Sequence, residues 1–341
     1  MKVALFLEKG KPLKLTEVKT PKPLKREVLV KVSACGLCRT DLHYLHGVPT
    51  FKKPPIILGH EISGVVSELG EGVSGFKKGD KVLIPPVFGC GDCFFCRTGR
   101  STLCSKGIMV GNHIDGGFAE YISVPKRELF LLPEKVPLRE GCIIADALST
   151  PYHAVKNRGK VKLGDSVVVF GCGGVGLGVV QMASIAGGKV IAVDIEALKL
   201  EQAEKFGAFK TINAREEDVL KVIKKLTYGG ADIVFEVIGN PKTIEQAFNA
   251  VRRGGRVVVV GYTHQNVALN AGRLMFREIE VLGSLGCGEG DFPRLLELVS
   301  SGRVKVKEMV THRFSLDEIN KGFELLERGE PSMIRGIVVM E

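Results

Sequence analysis

Val167-Val168-Val169-Phe170-Gly171-Cys172-Gly173-Gly174-Val175-Gly176 is the stretch that decides the fold. Val167 to Phe170 is a short run of β-branched and aromatic residues and reads as a buried strand. The pattern Gly171-x-Gly173-x-x-Gly176 follows at once and opens a helix-like stretch, Val175 to Ala186. Strand, glycine turn and helix form the phosphate-binding part of a βαβ unit. Glycines let the backbone turn tightly and approach a pyrophosphate, and the helix N-terminus offers free N–H groups and a positive dipole end. A glycine pattern alone is a weak signal; its context makes this one specific. The next strand, Lys189 to Val193, is followed by Asp194, about twenty residues on, where a carboxylate accepts hydrogen bonds from both ribose hydroxyls of an adenosine. A 2′-phosphate would meet that charge, so the sequence favours NAD over NADP. No arginine follows Asp194 directly, and Lys199 lies further along. Gly171, Gly173, Gly174, Val175, Gly176, Asp194 and Lys199 are therefore the candidate cofactor-binding residues.

Strand and helix patterns continue to alternate downstream. A helix pattern runs from Glu196 to Phe206, a strand from Ile233 to Val237 and a helix from Thr243 to Val251. Strands from Arg256 to Val260 and from Glu280 to Ser284 close the series. Apolar runs separated by helices of this length mean a parallel sheet covered on both faces, here of about six strands. Upstream, residues up to about Ser149 are strand-rich, with turn signals such as Gly70-Glu71-Gly72 and Lys78-Gly79-Asp80. The tail from Pro293 returns to mixed helix and strand and reads as rejoining the first lobe. The expected class is α/β: a β-rich domain over 1–150, a Rossmann domain over 151–287, and a segment 288–341 that returns to the first.

Composition narrows the function classes. At 341 residues, with 42 glycines, 6% aromatics and no Trp, the chain is large enough for two cored domains. The net charge of +10 comes from scattered lysines, with no basic run interleaved with aromatics, so nucleic acid is not an expected partner. The longest apolar run, Val167 to Val180, is too short to span a bilayer, and no secretory leader pattern opens the chain. The expected location is cytoplasmic, with the nine cysteines serving as ligands or buried thiols. Four Gln and eight Asn beside abundant Lys and Glu lean toward a thermophilic source.

The cysteines carry the second strong signal. Cys90-x2-Cys93-x2-Cys96-x7-Cys104 can converge on one tetrahedral Zn²⁺ with no open coordination position, which suits a structural metal. Cys38, His60 and a later residue can supply three ligands and leave a fourth position open, the pattern of a catalytic zinc. Cys35 with Cys38 also forms a CxxC that could act as a redox pair, although Cys35 reads better as a small buried residue.

Cys35-Gly36-Leu37-Cys38-Arg39-Thr40-Asp41, then Gly59-His60-Glu61-x-x-Gly64, then the four-cysteine lobe, then the glycine loop, resemble the zinc-dependent medium-chain alcohol dehydrogenases over essentially the whole chain. The resemblance implies a GroES-like catalytic domain, a Rossmann coenzyme domain and an active site in the cleft between them. It implies Cys38 and His60 as catalytic-zinc ligands, Asp41 as the carboxylate that orients the histidine, and Glu61 as a carboxylate able to approach the metal. Many members carry a cysteine as third ligand. This chain reads Ile144-Ala145-Asp146-Ala147 and resembles the branch that uses Asp, so Asp146 is the candidate, with Cys142 and Glu61 as rivals. Thr40 and His43 match the family's proton relay. Arg39 and Arg335 match positions that hold the cofactor pyrophosphate. The implied cofactors are NAD and two Zn²⁺ per subunit, one catalytic and one structural.

The implied activity is reversible hydride transfer between a secondary, polyol or alicyclic alcohol and its ketone. An unusual substrate, such as an acyl-CoA-linked alcohol, is the alternative. A homotetramer is expected, or less often a dimer, with the strand around Glu280 to Ser284 pairing across a subunit interface. Two other classes compete. A zinc-free quinone or enoyl reductase on the same fold would typically lack both cysteine constellations. A zinc and nucleotide binder acting on nucleic acid would have no need of the Thr40–His43 pair.

Overall fold

The structure is a computed structural model and describes residues 1–340. The described residues divide into two compact units, one formed by residues 1–147 and 287–340 and the other by residues 148–286.

The second unit is a six-stranded sheet in which every pairing is parallel. Its spatial order is Lys210–Asn213, Lys189–Asp194, Ser166–Phe170, Ala231–Glu236, Val251–Val259, Glu280–Gly283. Numbered in chain order this is 3-2-1-4-5-6, the doubly wound dinucleotide-binding arrangement. Val167 to Phe170 are all buried, as a strand covered on both faces requires. Val168, Phe170, Ile191, Val193 and Val234 lie in the core cluster with Ala247 and Phe248 of helix Pro241–Ala250. Two details differ from the expectation. The strand Lys210–Asn213 was not anticipated, because its only fully buried residue is Ile212. The fifth strand begins at Val251 rather than Arg256: Val251 pairs with Ala231, and the register then shifts so that Arg256 pairs with Ile233. Gly254, with φ of +65°, lies within that irregularity.

The first unit is dominated by a seven-stranded sheet. The path runs Phe130–Leu131, Lys81–Ile84, Ile62–Leu69, Glu27–Gly36, Arg335–Val339, Val310–Ser315, with Tyr121–Pro125 also on Glu27–Gly36. The strand Arg335–Val339 runs antiparallel to Glu27–Gly36, with Ile337 opposite Gly36 and Val338 opposite Cys35. That pairing sets Arg335 near the head of the Cys35–Asp41 motif. A three-stranded sheet formed by Lys14–Glu17, Lys2–Phe6 and Ile56–Ile57 completes the main β framework. Among the described residues no helix is long and apolar enough to cross a membrane.

Candidate metal and cofactor sites

The chain ahead of Cys38 is a buried strand, Glu27–Gly36, and the chain after it is the short helix Arg39–Leu45. The helix starts without a side-chain cap, and Cys38 sits at its N-cap. Thr40 and His43 are three residues apart and so share one helical face. His60 follows Gly59, whose φ is +93° and whose N–H donates to Asp41 Oδ1 at 3.2 Å. Leu58 and Ile62 flank the pair and are fully buried.

These elements bring Cys38, His60, Glu61 and Asp146 together, with one ligand atom from each lying within 4.8 Å of the others. Cys38 Sγ is 3.7 Å from Asp146 Oδ2, and His60 Nε2 is 3.6 Å from the same oxygen. Tetrahedral zinc with N, O and S ligands at about 2.0–2.3 Å requires edges of about 3.3–3.8 Å. His60 Nδ1 lies 3.4 Å from Asp41 Oδ1, so the second nitrogen of the imidazole faces a carboxylate, as a metal-bound histidine needs. His60 Nε2 and Glu61 Oε2 are buried without a hydrogen-bond partner. Buried polar atoms converging without partners are costly unless something else satisfies them, and a cation fits that donor set. Cys142, fully buried, is not part of the cluster.

Charge at this centre is strongly coupled. Burial works against an imidazolium at His60, but Asp41 and Cys38 beside it hold its pKa well above the ordinary value. Burial pushes the Glu61 carboxyl up to about 7 despite Arg335 beside it. The Arg335 guanidinium pairs directly with Glu61 Oε1; both side chains are buried. This ion pair was not foreseen, because the two residues are 274 positions apart and nothing local links them. Thr40 Oγ1 lies 3.5 Å from Cys38 Sγ. His43 is half-buried, and burial, with Arg39 and His46 nearby, lowers its pKa. Arg39 is exposed.

The four remaining motif cysteines form a second cluster. Cys90, Cys93, Cys96 and Cys104 also place one sulfur each within 4.8 Å of the others. Cys90 and Cys96 sulfurs are 4.0 Å apart, close to the edge of about 3.8 Å that Zn–S bonds of about 2.3 Å impose. Backbone N–H groups point at the sulfurs: Cys93 N–H donates to Cys90 Sγ at 3.4 Å and Cys90 N–H to Cys104 Sγ at 3.5 Å. Such donors favour thiolate, and N–H groups from Asp92 and Cys93 bring the Cys90 thiol down to about 6. Two distant residues brace the lobe. Glu289 accepts from Gly89 N–H at 3.1 Å, and Arg127 donates to Gly89 O at 2.9 Å.

In the second unit, Gly171 has φ of +97°, and Gly173 is the N-cap of helix Gly174–Ile185 with no side-chain cap. The helix N-terminus therefore presents its N–H groups unblocked by a side chain. A Cβ on Gly176 would collide with the Gly171 carbonyl oxygen, whereas a Cβ on Gly173 would meet nothing within 4 Å. Gly176 thus closes the turn, and Gly173 leaves open room for a phosphate. Asp194 is fixed beside the loop. Its Oδ2 accepts from Cys172 N–H at 2.7 Å, and its Oδ1 from Ile195 and Glu196 N–H at 2.7 and 3.1 Å. Lys199 lies in the first turn of helix Ala197–Lys205. Glu236, buried at the end of the fourth strand in chain order, accepts from Ile238 N–H, Gly239 N–H and Thr243 Oγ1, which ties down the facing loop.

A doubly wound sheet with an open glycine loop, together with two clusters of metal-binding side chains on a separate β unit, defines a zinc-binding dehydrogenase. Residues 24–134 match the alcohol dehydrogenase GroES-like domain, and residues 174–301 match the zinc-binding dehydrogenase family. An alcohol dehydrogenase of Geobacillus stearothermophilus is 37% identical, covering 100% of this chain and 99% of that protein. A sorbitol dehydrogenase of Bacillus subtilis (strain 168) is 36% identical, over 94% of this chain and 92% of that one. Among solved structures, a dehydrogenase from Sinorhizobium meliloti 1021 bound to NADP superposes with a TM-score of 0.91 at 33% identity, covering 99% and 98% of the two chains. The chain belongs to the zinc-dependent medium-chain dehydrogenase family, and it is an oxidoreductase of that type.

Proposed function

We propose that this chain is an NAD-dependent alcohol dehydrogenase that interconverts a secondary, polyol or alicyclic alcohol with its ketone. In this reading it carries one catalytic zinc on Cys38, His60 and Asp146, with Glu61 beside it, and one structural zinc on Cys90, Cys93, Cys96 and Cys104. The observation that carries the proposal is the buried cluster of His60 and Glu61 atoms without partners, converging with Cys38 and Asp146. When bound, zinc supplies the Lewis acidity that lowers an alcohol's pKa, and the nicotinamide supplies the hydride acceptor.

The chain's own residues do the rest. Asp41 holds the His60 ring with one nitrogen turned to the cluster. The Thr40 hydroxyl, beside Cys38, is placed to take the substrate's proton, and His43 on the same helical face is its onward acceptor. The lowered pKa keeps His43 neutral, and so able to accept, at neutral pH. Gly171 to Gly176 receive the pyrophosphate, Asp194 takes the ribose hydroxyls, and Lys199 adds a cation nearby.

An aspartate rather than a cysteine as third ligand supports the secondary-alcohol or polyol class, as does likeness to a protein named for sorbitol. The assembly we assign is a homotetramer in which Glu280–Gly283 pairs across an interface. That strand lies at the sheet edge, and Met275, Phe276 and Leu285 beside it are 61%, 77% and 62% exposed.

Metal analysis tests the core of this reading. Wild type should hold about two zinc ions per subunit, and Asp146→Ala about one, with the four-cysteine site still filled. Retention of both ions by Asp146→Ala would move the third-ligand role to Glu61 or Cys142.

A further inference from the structure

The end of the second strand of the parallel sheet carries two carboxylates, and only one of them is used by the reading above. Asp194 is oriented by three backbone N–H groups. Glu196, two residues on, accepts from Arg215 Nη2 at 3.0 Å. Arg215 belongs to the neighbouring strand's exit. Asp194 pairs with Asn213, Ala214 N–H donates to the Asp194 carbonyl at 2.9 Å, and Arg215 N–H donates to Asn213 Oδ1 at 3.0 Å. The guanidinium therefore stands at the sheet corner where an adenosine ribose is read. Its side chain is 61% exposed, so the pair contributes little to folding, and its geometry is free to serve another purpose.

We propose that the Glu196–Arg215 ion pair sets the choice between 2′-hydroxyl and 2′-phosphate dinucleotides: Glu196 holds back a guanidinium that would otherwise receive the phosphate. A guanidinium is well matched to phosphate because its planar fork can donate two parallel hydrogen bonds. While Arg215 is engaged by Glu196, a 2′-phosphate arriving at this corner meets Asp194 and Glu196 without a compensating cation from that strand. Once Glu196 is neutral, Arg215 is released to turn toward the ribose edge. The other charged groups nearby do not duplicate it: Lys199, in the first turn of the following helix, is a point charge without the guanidinium's two-pronged fork, and Glu216 is engaged by Asn213 Nδ2 at 2.8 Å. The inference rests on the dinucleotide site proposed above and deepens it by naming what discriminates at the adenosine 2′ position.

The test is a fluorescence titration of the zinc-loaded enzyme with NADH and with NADPH at fixed ionic strength. The proteins are wild type, Glu196→Gln, Glu196→Gln/Arg215→Ala and Asp194→Ala. Glu196→Gln should tighten NADPH about tenfold, the scale of one charge-assisted hydrogen bond, and change NADH less than about threefold. Adding Arg215→Ala should remove that gain. An unchanged NADPH-to-NADH ratio in Glu196→Gln overturns the proposal. So does a gain that survives in the double variant, which would trace it to the loss of one negative charge alone. Asp194→Ala separates the two levels. If it leaves NADH binding intact, the ribose assignment itself fails; if it weakens NADH while Glu196→Gln has no effect, only the ion-pair inference fails.

Discussion

Two glycines of the same loop should both lose cofactor affinity to an added methyl group, but only one of them should lose stability. At Gly176 an added Cβ would lie far inside the 3.0 Å that real Cβ contacts keep, against the carbonyl oxygen of Gly171. That oxygen is backbone, so the turn must open by about an ångström, at an overpacking cost of about 1–3 kcal/mol. Gly176→Ala should therefore lose both stability and cofactor affinity. At Gly173 the backbone has φ of −74°, which alanine adopts without strain, and nothing lies within 4 Å of the new Cβ. Alanine is a slightly worse N-cap than glycine but has less chain entropy to lose, so Gly173→Ala should fold within about 1 kcal/mol of wild type. The open space it fills is the space assigned to the pyrophosphate. Crowding there by a methyl group should cost about 1–3 kcal/mol of binding, or about 5- to 150-fold in NADH affinity. Urea unfolding and NADH fluorescence titration on both variants supply the two numbers. Wild-type NADH affinity in Gly173→Ala, with the fold intact, would refute the assignment of that space to phosphate.

Three further outcomes follow from particular residues. Asp194→Ala should weaken NADH more than NADPH in the same titration; an equal loss would remove the ribose role. Glu128 is buried and paired with Arg127, with Glu289 nearby, and burial raises its carboxyl from 4.5 to about 7. A raised folded-state value means stability that is complete below pH 4.5 and lost as the pH climbs through 7. At about 1.4 kcal/mol per pH unit this amounts to about 3 kcal/mol. Glu128→Gln should gain about that much relative to wild type between pH 4.5 and pH 8 in urea unfolding, and parallel curves would contradict the burial argument. His43→Ala should slow turnover and flatten the acid limb expected for wild type below pH 6.5, because the lowered imidazole pKa would set that limb. An unchanged pH–rate profile would exclude His43 from the proton path.

Much of this molecule was legible from sequence where one local signal carried the information. Val167 to Phe170 and Ile233 to Val237 announce buried parallel strands because both faces are apolar. Lys210–Asn213 escaped notice because a four-residue edge strand with one fully buried side chain leaves almost no periodic signal. The start of the strand at Val251 was hidden for a related reason: Val251 completes the helix pattern from Thr243, and Arg252, Arg253 and Gly254 break the apolar run ahead of Arg256; the structure accommodates them in a register shift. The four-cysteine cluster was readable because its members come in one short, spaced motif, whereas Asp146 was assigned to Cys38 and His60 only through the family resemblance. The supports of both clusters were not readable. Arg335 reaches Glu61, and Glu289 reaches Gly89, only after the chain's end has folded back beside residues far away in sequence. The Glu196–Arg215 pair needed the parallel register of Asp194 and Asn213 before its two members could be seen to meet.

The most direct test of the central claim is NADH formation by the purified protein given NAD and separate pools of primary alcohols, secondary alcohols, polyols and alicyclic alcohols, with and without a zinc chelator. The account predicts turnover in a secondary, polyol or alicyclic pool that the chelator abolishes and added zinc restores. Turnover that survives complete removal of zinc, or none in any pool with both zinc sites filled, would contradict it.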